Sequence, residues 1–186
     1  YGTVGKALMD ILKENRDAIA ERTGKRIHLA GISNSRKYAI DTEGIKFAEV
    51  GNALENGKDA SDESFFEEMA NLSLQNSIFV DCTASSDISY KYQSLLKNGY
   101  NIVACNKIPF AAPYDQYAKL KETAIGNRVS LRYETTVGAA LPILESINRE
   151  VNAGDEIKNI EAVLSGTLNY IFSHYKGGED GGTFSE

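Results

Sequence analysis

Apolar positions along this chain follow a helical period in some stretches and form short dense runs in others, and the alternation of the two sets the expected architecture. Val4, Leu8, Ile11 and Leu12 recur at helical spacing, predicting a first helix from the Gly2/Gly5 pair to about Arg22, stopped by Thr23-Gly24. Residues 26–33 then read as a strand that ends in Asn34-Ser-Arg-Lys37. Residues 38–60 carry Gly44, Gly51 and Gly57 among mixed polar positions, which predicts a loop-rich excursion with one short helix. Asp62 is the expected N-cap of a helix that turns Phe65, Phe66 and Met69 toward a core. Residues 77–82 are almost continuously apolar, as in a strand buried inside a parallel sheet, and the run stops at Thr83-Ala-Ser-Ser86. Asp87 is expected to cap the next helix, with Tyr90, Leu95 and Leu96 on its apolar face and Gly99 at its end. Residues 101–105 form a further strand, Pro113 opens a helix ending near Gly126-Asn127, and residues 128–133 are the last strand of the series. Strand and helix alternating in this way predict an α/β domain built on a right-handed, doubly wound parallel sheet.

The pattern changes at Glu134-Thr-Thr-Val-Gly-Ala-Ala-Leu-Pro-Ile143. Beyond Pro142, the positions Ile143, Leu144, Ile147 and Val151 form an apolar helical face that ends near Gly154. Residues 156–164 alternate enough to predict a strand, and Leu168, Ile171 and Phe172 mark another helix. A single strand cannot hide both of its edges, so this second unit is expected to need further strands or a partner subunit. The expected division is residues 1–135 and 136–186.

The 186 residues include 42% hydrophobic positions and carry a net charge of −6. The basic residues are scattered rather than striped, so no nucleic-acid groove or anionic membrane surface is expected and the expected partners are small molecules. No apolar run approaches the ~20 residues that span a bilayer, and a cytoplasmic location is expected. Cys82 and Cys105 lie in predicted strands without metal-ligand spacing and read as buried, reduced thiols; His28 and His174 are isolated and receive no role.

Candidate chemistry clusters at strand ends. The dinucleotide fingerprint G-x-G-x-x-G joins a strand to a helix N-terminus whose free amides face a pyrophosphate, and Gly2 and Gly5 fit its second and third glycines. The end of the second strand meets the adenosine ribose, where a carboxylate reads a 2′-hydroxyl and Arg or Lys accommodates a 2′-phosphate. This chain offers Ser33, Ser35, Arg36 and Lys37 and no carboxylate there, which favours NADP over NAD. Thr83 and Lys107 fall at the same sheet edge as Gly2, where α/β sheets bind ligands.

Five motifs occur in register: Gly2 to Gly5, Thr83 to Ser86, Asn106-Lys107, Glu134 to Pro142, and Ser165-Gly-Thr-Leu-Asn-Tyr-Ile171. In this order the chain resembles a homoserine dehydrogenase. It is especially similar to the dehydrogenase part of fused aspartokinase–homoserine dehydrogenases through Gly31-Ile-Ser-Asn-Ser-Arg36, Val80-Asp-Cys-Thr83 and Asn152-Ala-Gly-Asp155. The resemblance implies a Rossmann-type nucleotide domain followed by the start of an α+β substrate and dimerisation domain. It also implies NADP-dependent interconversion of aspartate 4-semialdehyde and homoserine, homodimers or higher homo-oligomers, and a fused aspartokinase domain.

The same resemblance implies particular residues. Gly2, Thr3, Val4, Gly5, Thr83, Ser85 and Lys107 would line the dinucleotide site, with Arg36 and Lys37 favouring NADPH. Lys107 would be catalytic, exchanging or relaying the proton that accompanies hydride transfer. Thr167 and Tyr170 would face nicotinamide and substrate. Carbonyl oxygens of Glu134, Val137, Ala139 and Leu141 would hold sodium or another monovalent cation, hard donors suited to such an ion. Ala140 stands where the family usually has glycine, so its Cβ is expected to bar a positive φ there. The acidic and lysine motifs that follow the substrate helix in the family have no counterpart. Gly177-Gly-Glu-Asp-Gly-Gly182 reads as a loop, and Thr183-Phe-Ser-Glu186 as the capping box of a helix to come. Half a fingerprint at one end and a lone cap at the other predict a piece of a longer polypeptide. Other readings of the same residues are another amino-acid semialdehyde dehydrogenase, or a non-catalytic nucleotide-binding and dimerisation module of an aspartokinase fusion.

Overall fold

The structure, a computed structural model, describes residues 1–175, and the chain divides into two units that meet between Arg132 and Tyr133. The loop and capping box expected over 177–186 lie outside the described residues.

In the first unit, α1 (Thr3–Thr23) starts at Gly2, which has no side chain to cap it, and stops where Gly24 turns left-handed at φ 68°. Its inward face is narrow: Gly5 and Met9 are buried, and Met9 packs with Ile32, Ile45, Val50 and Leu54. The strand expected over 26–33 is confined to β1 (Gly31–Ser33), which pairs antiparallel with β2 (Lys37–Ile40); β2 in turn pairs with β3 (Lys58–Asp59). A hairpin therefore stands where one strand of the parallel sheet was expected. Asn34 causes it: its Oδ1 accepts from the amides of both Arg36 and Lys37 at 2.8 Å, which closes the turn and directs the chain back along β1. The short helix expected in the following excursion is α2 (Val50–Glu55).

The parallel sheet is β4 (Ile78–Asp81), β5 (Asn101–Ala104) and β6 (Leu131–Arg132), in the order β4-β5-β6. The α/β class with a parallel sheet is thus present, but the strands form two three-stranded sheets rather than one continuous doubly wound sheet. Between them runs α3 (Asp62–Asn71). Phe65 meets Tyr38 of β2 edge-on at 5.8 Å, and Phe66 reaches Phe79 of β4 at 5.4 Å. The cap of α3 is Ser61 rather than Asp62, its side chain accepting from the Ser64 amide.

From β4 the chain crosses to β5 through α4 (Ser86–Tyr90) and α5 (Tyr92–Lys97), and from β5 to β6 through α6 (Tyr114–Gly126). The core under this sheet is Tyr92, Leu95, Leu96, Ile102, Ala104 and Ala124. Tyr92, fully buried, takes the place expected of Tyr90, which is 79% exposed. Ser85, not Asp87, caps α4.

The second unit contains α7 (Ile143–Ala153), ended by Gly154 at φ 96°, and α8 (Gly166–His174). Residues 156–164 are not a strand. Among the described residues of this unit there is no strand for them to pair with, so their backbone groups gain no ladder and the alternating pattern alone does not hold them extended.

Candidate functional site

The C-terminal edge of the parallel sheet gathers most of the predicted site residues of the first unit. The start of α1 lies beside the end of β4: Gly5 is buried, and a Cβ built on it would be in ordinary contact with Cβ of Cys82 at 3.9 Å, while one on Gly2 would meet nothing within 4 Å. The amides of Thr3, Val4 and Gly5 precede the first intrahelical bond, which runs from Lys6 to the Gly2 carbonyl at 2.8 Å. They form an uncapped, electropositive helix start beside the end of β4.

Beyond β4, Thr83 is exposed, donates its amide to Asp81 Oδ1 at 2.7 Å and accepts from the Ser85 amide at 3.1 Å. Ser85 accepts from the Ile88 amide at the start of α4. Below this turn lies a buried polar network that the sequence reading missed. Asp81 and Asn106 are each 1% exposed, and Asp81 Oδ2 accepts from Tyr92 Oη at 2.7 Å and from Asn106 Nδ2 at 3.0 Å. Asn106 Nδ2 also donates to the Ser85 carbonyl at 2.9 Å, and its Oδ1 accepts from the Ile108 amide at 3.1 Å. One signal was available in the sequence: a carboxylate at the end of an apolar strand must find buried donors or leave the core. Burial, followed by the bond to Asp81, pushes the Tyr92 phenol far above its ordinary range.

Lys107 follows Asn106, is exposed, and makes no ion pair among the described residues. Cys82 and Cys105 are free and half-buried, just past the ends of β4 and β5 rather than within them. Burial, with Cys105 and Asp81 as lesser causes, pushes the Cys82 thiol up to about 11, so it stays protonated at neutral pH. At the hairpin, Arg36 is exposed, whereas Lys37 is bound to Asp59 at 3.0 Å and to the Gly57 carbonyl at 3.2 Å. The expected pair of cations at this turn is therefore one exposed guanidinium with no ion pair among the described residues and one lysine already held by the fold.

In the second unit, the turn before α7 places Gly138 at φ 68° and Ala139 at φ 54°. The left-handed residues are these two and not Ala140, so the Cβ of Ala140 costs nothing there; the strain falls on Ala139. The Glu134 carbonyl accepts from the Val137 amide at 3.3 Å, and the Leu141 carbonyl from the Ile143 amide at 2.9 Å. Each keeps a second lone pair, so main-chain donors on a tight turn fit the chemistry of a hard monovalent ion. The Glu134 side chain does something else: Oε1 accepts from the Leu144 amide and Oε2 from the Glu145 amide, both at 2.9 Å. It is the N-terminal cap that Pro142 cannot supply. Glu134→Ala is expected to fray the first turn of α7 and cost about 1 kcal/mol, read as faster hydrogen exchange at the amides of Leu144 and Glu145. Thr167 lies exposed in the first turn of α8, which Ser165 caps, and the Tyr170 ring stacks on His174 at 4.1 Å.

Among the described residues no helix is long and apolar enough to cross a membrane, and no cluster of His, Cys, Asp and Glu could hold a metal ion. The parallel sheet, the open helix start beside β4 and the small polar turns at the same edge define a dinucleotide-binding α/β domain. Residues 1–134 match the NAD-binding domain of homoserine dehydrogenase and residues 142–186 match the homoserine dehydrogenase family that accompanies it; the chain belongs to the homoserine dehydrogenase family. It is 33% identical over 178 residues to the chloroplastic bifunctional aspartokinase/homoserine dehydrogenase 2 of Arabidopsis thaliana, covering 95% of this chain and 19% of that protein. The bifunctional protein of Haemophilus influenzae is 32% identical, with 95% of this chain and 22% of that protein covered. The chain thus spans about a fifth of the length of these relatives. Among solved structures, a Candida auris protein of unknown function superposes with a TM-score of 0.78 at 21% identity over 99% of this chain and 51% of that one. A hyperthermophilic archaeal homoserine dehydrogenase in complex with NADPH gives 0.63 at 24% identity over 78% and 45%. At these identities the likeness is one of fold.

Proposed function

We propose that this chain supplies the dinucleotide-binding edge and the start of the substrate domain of an NADP-dependent homoserine dehydrogenase, interconverting L-aspartate 4-semialdehyde and L-homoserine on the way to threonine and methionine. The observation that carries the reading is the uncapped start of α1 packed through Gly5 against the end of β4, in a chain whose family is named for this activity. When bound, the nicotinamide accepts or supplies hydride at C4, with the alcohol carbon of homoserine becoming the aldehyde carbon or the reverse.

The amides of Thr3, Val4 and Gly5 would hold the pyrophosphate, with Gly2 leaving room for its approach. Thr83 and Ser85 would line the cofactor edge. Lys107 would meet the substrate oxygen and move its proton. Thr167 and Tyr170 would contact nicotinamide and amino acid. The carbonyls of Glu134, Val137, Ala139 and Leu141 would hold sodium or a similar ion. The first unit then acts as the nucleotide domain, and the second as the substrate and dimerisation domain. Exposed apolar side chains of the second unit, among them Val163, Tyr170 and Phe172, support a homo-oligomeric partner. The bifunctional relatives support a fused aspartokinase, and free Cys82 and Cys105 suit a reducing compartment such as the cytoplasm.

The test is oxidation of NADPH by the full-length gene product with aspartate semialdehyde as substrate. Steady turnover supports the proposal; cofactor binding with no turnover leaves a non-catalytic nucleotide module, and turnover only with another semialdehyde moves the substrate. Arg36 carries the cofactor preference in this reading, because Lys37 is already paired. Arg36→Ala is expected to weaken NADPH relative to NADH by about tenfold, the worth of one charge-assisted contact, whereas Lys37→Ala changes the ratio less. Titration of both cofactors checks this, and a ratio unmoved by Arg36→Ala removes the assignment.

A further inference from the structure

The two loops that carry Thr83, Ser85 and Lys107 leave different strands, and a single side chain fastens them together. Asn106 has three groups to satisfy, two N–H donors and one carbonyl. Its Nδ2 donates to Asp81 Oδ2 at 3.0 Å and to the Ser85 carbonyl at 2.9 Å, and its Oδ1 accepts from the Ile108 amide at 3.1 Å. All three are used, in a site 1% exposed to solvent. The Ser85 bond spans 21 residues of sequence and joins the start of α4 to the end of β5. The Ile108 bond shapes the turn through Lys107 itself.

We propose that Asn106 is a positioning residue for the cofactor edge: it holds the turn of residues 83–85 and the base of Lys107 in one arrangement, so that both meet the bound dinucleotide and substrate together. This rests on the proposed dinucleotide function. No other residue type of similar size reproduces the pattern. Aspartate keeps an acceptor for Ile108 but loses both donors, and alanine loses all three contacts.

Tyr92 supplies the comparison that separates positioning from general stability. Its hydroxyl donates to the same oxygen of Asp81, yet among the described residues no hydrogen bond joins it to either loop, so Tyr92→Phe removes one buried bond of the network and leaves the Ser85 and Ile108 contacts in place.

The experiment uses the full-length protein, with NADPH binding followed by the fluorescence of the nicotinamide and thermal unfolding measured alongside. Asn106→Ala and Asn106→Asp are each expected to weaken NADPH binding about tenfold, equivalent to about 1.4 kcal/mol, and to lower kcat for the semialdehyde. Tyr92→Phe is expected to lower the Tm while NADPH affinity stays within about twofold, since the Ser85 and Ile108 contacts of Asn106 are left in place. Asn106→Asp binding NADPH like the parent overturns the proposal, because the Ile108 turn would then suffice. So does a loss of affinity in Tyr92→Phe matching that of Asn106→Ala at equal loss of Tm. Should Asn106→Ala not fold, Asn106→Asp and Tyr92→Phe decide between the same outcomes. A parent protein that gives no NADPH signal sinks the dinucleotide reading itself, whereas normal parent binding with unaffected Asn106 variants sinks only the positioning role.

Discussion

Lys107→Ala is expected to lower the semialdehyde-dependent oxidation of NADPH by about 10²–10⁴-fold, the range in which a positioned proton donor or relay acts. Three observations set this size. Lys107 lies at the end of β5, where open α/β sheets meet their ligands. It makes no ion pair among the described residues, so its three donors are not committed to another side chain. Its backbone is fixed on one side by Asn106 and on the other by the 3-10 turn of Ile108–Phe110, with the Lys107 carbonyl accepting from the amides of Phe110 and Ala111. Only the side chain is left to move. Lys107→Arg separates charge from proton transfer: guanidinium keeps the cation but does not give up a proton near neutrality. If Lys107 relays a proton, the Arg variant should bind NADPH normally and turn over as poorly as the Ala variant. If it acts through its charge alone, Arg should restore most of the rate. Full turnover in Lys107→Ala would remove the catalytic assignment without touching the enzyme reading.

The sequence carried the parallel sheet well because short apolar runs between turns announce strands, although the burial expected for 77–82 is only partial: Ile78 is 61% and Val80 41% exposed. Residues 78–81 and 101–104 are short apolar runs bounded by turn residues, and both pair where the pattern placed them. Helix stops were equally readable, since Gly24 and Gly154 each take the left-handed conformation that few other residues accept. Starts were less so. Ser61 and Ser85 cap helices assigned to Asp62 and Asp87, because neighbouring Ser and Asp compete for one geometric position and composition does not rank them. The hairpin at 31–40 was missed because Lys37-Tyr-Ala-Ile40 is a short run inside a stretch that reads as loop-rich; what makes it a strand is the local Asn34 turn, which folds it back on β1. The opposite error occurred at 156–164, where a strand-like pattern has no described partner. At the candidate site the residue identities were visible and the connections were not. Thr83, Ser85 and Lys107 could be placed on one edge from topology alone, but nothing in the spacing of Asp81, Tyr92 and Asn106 tells that they share one carboxylate oxygen.

That carboxylate is also where the largest loss of stability is expected. Asp81 is 1% exposed and accepts from the Thr83 amide at 2.7 Å, the Tyr92 hydroxyl at 2.7 Å and Asn106 Nδ2 at 3.0 Å. Asp81→Ala strands the Tyr92 and Asn106 donors in the interior and frees the part-buried Thr83 amide, and each unsatisfied buried group costs about 1–3 kcal/mol. The sum is about 3 kcal/mol or more, a large fraction of the 5–15 kcal/mol that holds a typical domain together. Asp81→Asn should cost less, since one oxygen survives, but it cannot be neutral: whichever way the amide is turned, its NH2 faces a donor, either the Thr83 amide or Asn106 Nδ2. Tyr92→Phe, with one bond lost and the carboxylate still doubly bonded, should cost about 1 kcal/mol. The order Asp81→Ala, then Asp81→Asn, then Tyr92→Phe follows from counting stranded groups, and denaturant unfolding of the three variants measures it. A thiol titration gives an independent check. Asp81 is among the causes that hold the Cys82 thiol up near 11, behind burial and Cys105. In a folded Asp81→Asn variant, Cys82 should therefore titrate lower than in the parent and still above an ordinary thiol, because burial persists. Asp81→Ala unfolding within about 1 kcal/mol of the parent would mean that the freed donors find other partners, and the account of Asp81 as the anchor beneath the cofactor edge would be wrong.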